Sequence, residues 1–179
     1  MSSFSQVQKK IEERQPLSFE DGVMLYHYHD LFELGKLASI VRERLHQKRT
    51  YFNRNLHLNT TNICEASCLF CSFARLKQGM PSAYSMTIQE ALVWIKERYR
   101  EGMTEVHIVN GLNPDLKFEY YIELLAKIRA NYPALHIKAF TAVEIHYFSE
   151  KFKLNYQQVL ESLIEAGLGS LPGGGAEIF

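Results

Sequence analysis

Cys64, Cys68 and Cys71 are the only cysteines in the sequence, and they stand together as Cys64-Glu65-Ala66-Ser67-Cys68-Leu69-Phe70-Cys71. Three is an odd number, and the spacing is too tight for disulfides that would staple distant loops, so these are reduced thiols with a ligand's work to do. A [4Fe–4S] cluster takes four ligands, and three thiolates leave one iron open. An open coordination position marks a catalytic metal site rather than a structural one. The alternative is a zinc site completed by His57 or another group. Zinc sites commonly pair two C-x2-C knuckles, and this sequence has no second half.

The loop that carries these thiols needs a scaffold, and the surrounding text supplies one. Residues 1–50 read as an N-terminal helical segment: Ser18 ahead of Glu20 and Asp21 is an N-cap signal, and Asp30 caps a longer helix whose Leu31, Leu34, Leu37, Ala38, Val41 and Leu45 repeat at helical spacing. From residue 51 onward strands alternate with helices. The pattern predicts strands at 51–59, 104–110, 135–141 and 168–172, and helices at 87–101, 118–131, 142–150 and 155–167. Thr87 with Glu90, and Asn155 with Gln158, have capping-box spacing. Strand–helix–strand repeats imply right-handed crossovers and a parallel α/β sheet. The cysteine loop then follows the first strand, at the carboxyl end where ligands of such folds bind.

Alternation within the strands divides their faces. Leu56 and Leu58 alternate with Asn55, His57 and Asn59; Leu135, Ile137 and Ala139 alternate with His136, Lys138 and Phe140. Helices must cover the apolar face, which leaves the polar one for a ligand-holding lumen, or alternatively for solvent. In the stretch 104–110, Asn110 falls with the apolar set. Four units fit residues 51–179, whereas a closed eight-unit barrel takes about 250 residues. The expectation is therefore a partial TIM-type (β/α) barrel of about four parallel strands, from a chain truncated after Phe179. Such a piece would associate through the free edge of strand 168–172 and would not turn over by itself.

Composition narrows the class further. Twenty Lys and Arg balance 20 Asp and Glu, so the basic excess needed for phosphate-backbone binding is missing and nucleic acid is not an expected partner. No apolar run approaches the roughly 20 residues of a membrane span, and the opening MSSFSQVQKK lacks a signal-peptide core. The expected location is the cytoplasm.

The C-x3-C-x2-C spacing with Phe70 before the third cysteine resembles the cluster motif of the radical S-adenosylmethionine superfamily. TNICEASCLFCSFAR, EVHIVNGLNPDLKFEYYIELL, HIKAFTAVEIHYFS and AGLGSLPGGGAEIF together resemble the futalosine-pathway enzymes of menaquinone biosynthesis, above all the aminofutalosine synthases. The resemblance runs from about residue 31 to the end and covers roughly the first half of a family member. It implies a [4Fe–4S] cluster on Cys64, Cys68 and Cys71, an external electron donor such as flavodoxin or ferredoxin, and S-adenosylmethionine as a consumed co-substrate. The implied reaction adds the 5′-deoxyadenosyl radical to the enolpyruvyl double bond of 3-[(1-carboxyvinyl)oxy]benzoate; rearrangement and loss of the carboxylate as bicarbonate then give aminofutalosine.

The remaining site residues follow from the resemblance and the strand pattern together. The segment after the second strand often reads Gly-Gly where it nears the cofactor's amino-acid end, and here it is Asn110-Gly111. Thr141 and Glu144 close the third strand, where a carboxylate can bind ribose hydroxyls or the cofactor ammonium or serve as an ordinary helix-start acid. Gly173, Gly174 and Gly175 offer backbone amides to the adenosine or the substrate. His57 and Lys138, on the polar face, are the catalytic candidates for gripping a dianionic aryl enolpyruvyl ether, with a structural role as the alternative. Arg75 and Lys77 read as surface charges.

Overall fold

The computed structural model describes residues 3–173, which divide into two compact units on either side of residues 52 and 53. In the first, α1 (Phe4–Glu12), α2 (Phe19–Tyr26) and α3 (Leu31–His46) enclose a small core of Val7, Ile11 and Leu37, with Val41 packed against it. Each helix starts at a residue whose side chain accepts from the exposed first-turn amides: Ser3, Ser18 and Asp30. Lys10 meets the buried Asp21 at 2.6 Å and ties α1 to α2.

The second unit alternates strand and helix: β1 (Asn55–His57), α4 (Ile88–Arg98), β2 (Glu105–Ile108), α5 (Phe118–Asn131), β3 (His136–Ala139), α6 (Ala142–Phe152) and α7 (Tyr156–Glu165). The sheet is parallel in the order β1-β2-β3, and its register aligns Leu56 with Val106 and Ile137, and His57 with His107 and Lys138. Period two puts Leu56, Val106, Ile108, Ile137 and Ala139 on one face, where all are buried. They form one cluster with Ile95 of α4, Leu124 and Ile128 of α5, Phe148 of α6 and Leu163 of α7. Each fully buried aliphatic side chain there contributes about 1.5–3 kcal/mol. The helices thus cover the apolar face. The opposite face carries Asn55, His57, Glu105, His107, His136 and Lys138. This is the α/β architecture of a partial TIM-type barrel. No helix among the described residues is long and apolar enough to cross a membrane.

Two details depart from the sequence pattern. Where a fourth strand is expected, the described chain makes a single parallel bridge from Lys138 to Ser170, with Gly169 N–H donating to Ile137 O at 2.8 Å and Ala139 N–H to Ser170 O at 3.0 Å. Beyond it, Pro172 has no amide to extend such a ladder. Alternation predicts Phe140 on the polar face, yet it is fully buried. Its φ of 64° turns the side chain back into the core, where the ring meets Tyr121 and Phe148 edge-on at 5.6 and 5.3 Å. A left-handed conformation costs a non-glycine residue about 1–2 kcal/mol, and burial of the aromatic ring offsets it.

Candidate functional site

The cysteine loop begins on a length of backbone that is held residue by residue. After β1, Thr60, Thr61 and Asn62 are buried despite their polarity, and buried polar groups must find partners. Thr60 and Thr61 donate their amides to the side-chain oxygen of Asn110 at 2.6 and 3.3 Å. Asn62 N–H reaches Tyr84 O at 3.3 Å, Ile63 N–H the hydroxyl of Thr61 at 3.2 Å, Cys64 N–H Arg75 O at 2.9 Å and Glu65 N–H Leu112 O at 3.0 Å. Every amide from Thr60 to Glu65 is therefore satisfied. Cys64 sits at the end of this stretch and is buried, while Cys68 and Cys71 are exposed on the turn that closes with Cys71 N–H on Cys68 O at 3.1 Å. Phe70 projects outward at 96% exposure.

The far side of the loop is organised by Arg75, which is not the free surface charge its sequence position suggested. Its Nε donates to Pro81 O at 2.9 Å and its Nη1 to the carbonyls of Ser72, Phe73 and Ala74. One cation thereby gathers four carbonyl dipoles of the returning segment. Its backbone N–H also donates to Asn62 O at 2.8 Å, pairing the two ends of the loop.

The donor set suits an iron–sulfur cluster. Among the described residues no three His, Cys, Asp or Glu side chains gather around a single ion position. A cubane asks for something else, since each thiolate binds a different iron at a different corner. Soft thiols, two of them solvent-accessible, are the matching chemistry. His57, one candidate for the fourth ligand of the zinc alternative, stacks on His107 with ring centroids 4.7 Å apart.

Gly111 is held tightly, and the group that approaches it is the chain itself. Its N–H donates to Thr61 O at 2.9 Å, and a Cβ at this position would lie 2.3 Å from Ile63 O. Glu144 is likewise turned inward. It is 2% exposed, with Oε2 accepting from the amide and hydroxyl of Thr141 at 2.7 and 2.9 Å and Oε1 accepting from Asn110 N–H at 2.9 Å. Thr141 caps α6 in return. Burial pushes the Glu144 carboxyl up to about 6 from an ordinary 4.5, against the amides of Thr141 and Asn110, which lower it.

A pKa raised on folding means that the native state binds the Glu144 proton more tightly than the unfolded chain does. This contribution to stability is fully present below the unfolded value of 4.5 and is lost as pH rises through about 6, a change of about 2 kcal/mol. Denaturant unfolding of the wild type should therefore weaken over that window. Glu144→Gln should flatten that part of the profile, and an unchanged slope would show that the carboxyl does not titrate there.

On the polar sheet face, Lys138 pairs with Glu105 at 2.9 Å, and Glu105 is buried. Its charge is thus engaged by the protein, and a grip on substrate by Lys138 requires sharing that ion pair. Glu105 Oε1 has no hydrogen-bond partner among the described residues, so this side chain leans on its ion pair with Lys138. Lys138→Met should cost about 2 kcal/mol of stability, less than for a fully enclosed pair because Lys138 is partly exposed. The double variant with Glu105→Gln should recover most of it; no loss in the single variant would show that the pair is energetically idle. Burial and the neighbouring His57 hold the His107 imidazole below the ordinary histidine range. An open cleft of about 390 Å³ adjoins His57 and Asn59, flanked by Tyr84, Met86 and Trp94. No atom of the described residues lies within 4 Å of a Cβ added at Gly173, whereas Gly174 and Gly175 lie outside the described residues.

Thr60, Thr61, Asn62 and Tyr84 belong to the site although no motif in the sequence singles them out. A signal was present: Asn59-Thr60-Thr61-Asn62 is polar at four successive positions directly after an alternating strand, so both sides of that backbone need polar partners.

Comparison with known proteins agrees with this geometry. Residues 58–175 match the family model described as the Radical SAM superfamily. The chain is similar to an aminodeoxyfutalosine synthase of Thermus thermophilus, 45% identical over 173 residues covering 97% of this chain and 46% of the relative. One from Streptomyces coelicolor is 47% identical over 174 residues, 97% of this chain and 45% of the relative. A cyclic dehypoxanthine futalosine synthase of Halalkalibacterium halodurans is 36% identical over 90% of this chain and 44% of its own length. The chain thus spans about half the length of the curated relatives it matches. Among solved structures, methylornithine synthase shares the fold at a TM-score of 0.59 and 16% identity, covering 94% of this chain and 58% of that one.

Proposed function

Because the chain belongs to the Radical SAM superfamily, we propose that it carries the cluster-binding part of a cytoplasmic enzyme of aminofutalosine synthase type. The reaction adds the 5′-deoxyadenosyl group of S-adenosylmethionine to 3-[(1-carboxyvinyl)oxy]benzoate, with flavodoxin or ferredoxin as the electron donor. The observation that carries this reading is the run of satisfied amides that fixes Cys64 at the carboxyl end of a parallel strand while Cys68 and Cys71 stay accessible. Identities of 45% and 47% to aminodeoxyfutalosine synthases, against 36% to the cyclic dehypoxanthine enzyme, support the choice among sister reactions.

What a bound [4Fe–4S] cluster supplies at this place is an electron for reductive cleavage of S-adenosylmethionine. The chain's own residues do the rest. Cys64, Cys68 and Cys71 would hold such a cluster, and three thiolates would leave one iron free to take S-adenosylmethionine. Gly111 brings the end of β2 against the cysteine loop, and the Thr141–Glu144 cap brings α6 to Asn110. His57, stacked on His107 beside the cleft, presents a donor to a substrate carboxylate, and Lys138 lies across from His107 in the same register.

The test is product identity. A polypeptide of the relatives' length carrying this sequence, reconstituted and reduced, is given both substrates, and adenosyl products are identified by mass spectrometry. Aminofutalosine is expected. Free 5′-deoxyadenosine as the sole adenosyl product would indicate hydrogen abstraction and point to the sister enzymes.

A further inference from the structure

Asn110 occupies a place that none of the site chemistry above requires to be an asparagine. Its side-chain oxygen accepts from Thr60 N–H at 2.6 Å, from the Thr60 hydroxyl at 3.2 Å and from Thr61 N–H at 3.3 Å. Three converging donors fix the orientation of the amide, since its nitrogen could accept none of them. Its backbone N–H goes the other way, to Glu144 Oε1 at 2.9 Å, and the next residue holds Thr61 O through Gly111 N–H at 2.9 Å. One residue at the end of β2 thus connects the root of the cysteine loop to the first turn of α6. Its Nδ2 is buried with no hydrogen-bond partner among the described residues. An idle buried donor is tolerated where the acceptor on the same group is what the site needs.

We infer that Asn110 is a positioning residue for the iron–sulfur centre: through Oδ1 it sets where Thr60 and Thr61, and hence Cys64, stand relative to β2 and α6. The inference rests on the proposed cluster chemistry but acts through backbone hydrogen bonds that exist without it. In this role Asn110 acts through Thr60 and Thr61 and not on a ligand itself. Substitution separates its two side-chain atoms, because Asn110→Asp keeps the acceptor and puts a second oxygen in place of the idle donor, whereas Asn110→Leu has similar bulk and keeps neither.

Two measurements on the 179-residue chain decide it. Hydrogen exchange of the metal-free protein should show Thr60 and Thr61 amides exchanging about 30-fold faster in Asn110→Leu, with Asn110→Asp near wild type and core amides such as Ile95 and Leu124 unchanged in both. After anaerobic reconstitution, the leucine variant should bind less than about half the wild-type iron. Its reduced cluster should also lose the wild-type change in electron paramagnetic resonance on addition of S-adenosylmethionine, and the aspartate variant should retain both. If leucine cannot be accommodated, Asn110→Ala adds no bulk and decides in its place. Unchanged exchange in the variant lacking the acceptor would overturn the inference. So would Thr60 and Thr61 amides exchanging as fast in the aspartate variant as in the leucine variant, since an acceptor at that position would then not be what holds them. A wild-type chain that binds no cluster would count against the proposed function alone, because the exchange experiment does not use the metal.

Discussion

Cys64→Ala, Cys68→Ala and Cys71→Ala are each expected to reduce the iron retained after anaerobic reconstitution from about four per chain to less than about one. Three thiolates are the fewest that hold a cubane with one corner open, and two leave it to dissociate or rearrange. The three variants should nevertheless differ in stability. Cys68 and Cys71 are exposed, so their truncation should change unfolding free energy by less than about 0.5 kcal/mol. Cys64 is buried beside Ile63, and losing its side chain should cost about 1 kcal/mol. Iron and sulfide analysis with denaturant unfolding checks both statements, and full iron content in any one variant would contradict the ligand assignment.

Gly111→Ala is expected to be the most damaging substitution outside the cysteines. The added Cβ would stand 2.3 Å from Ile63 O and 2.8 Å from Ile63 C, and both atoms belong to a backbone stretch whose amides are all engaged. Neither side can yield by rotating a side chain. Relief requires β2 and the root of the cysteine loop to part, breaking the bond from Gly111 N–H to Thr61 O, at a cost of about 3 kcal/mol. Melting temperature should fall and iron uptake with it. Gly173→Ala, with no atom of the described residues within 4 Å of its added carbon, is the matched control and should leave both unchanged.

What the sequence revealed was local or periodic. The cysteine spacing, the reciprocal caps Thr87–Glu90 and Asn155–Gln158, and the alternation that buries Leu56, Val106 and Ile137 all depend on neighbours a few residues away. What it concealed depends on partners brought from afar. Lys138 looks like a free cation until register places it against Glu105, 33 positions earlier. Glu144 reads equally as a ligand or a cap until burial and the Asn110 amide turn both its oxygens inward. Phe140 obeys alternation in the sequence and breaks it in space, because a left-handed φ is invisible to a period-two pattern. Asn110 departs from Gly-Gly in the sequence, but its three bonds to Thr60 and Thr61 exist only where the pairing of β1 with β2 brings the segments together.

Whether three thiolates hold a cluster with an open iron is decided by reconstituting the wild-type chain anaerobically with iron and sulfide in the presence of competing zinc. About four irons and four sulfides per chain, with broad visible charge-transfer absorption that bleaches on reduction, is the predicted result. A colourless protein holding one tightly bound zinc and no sulfide would contradict it.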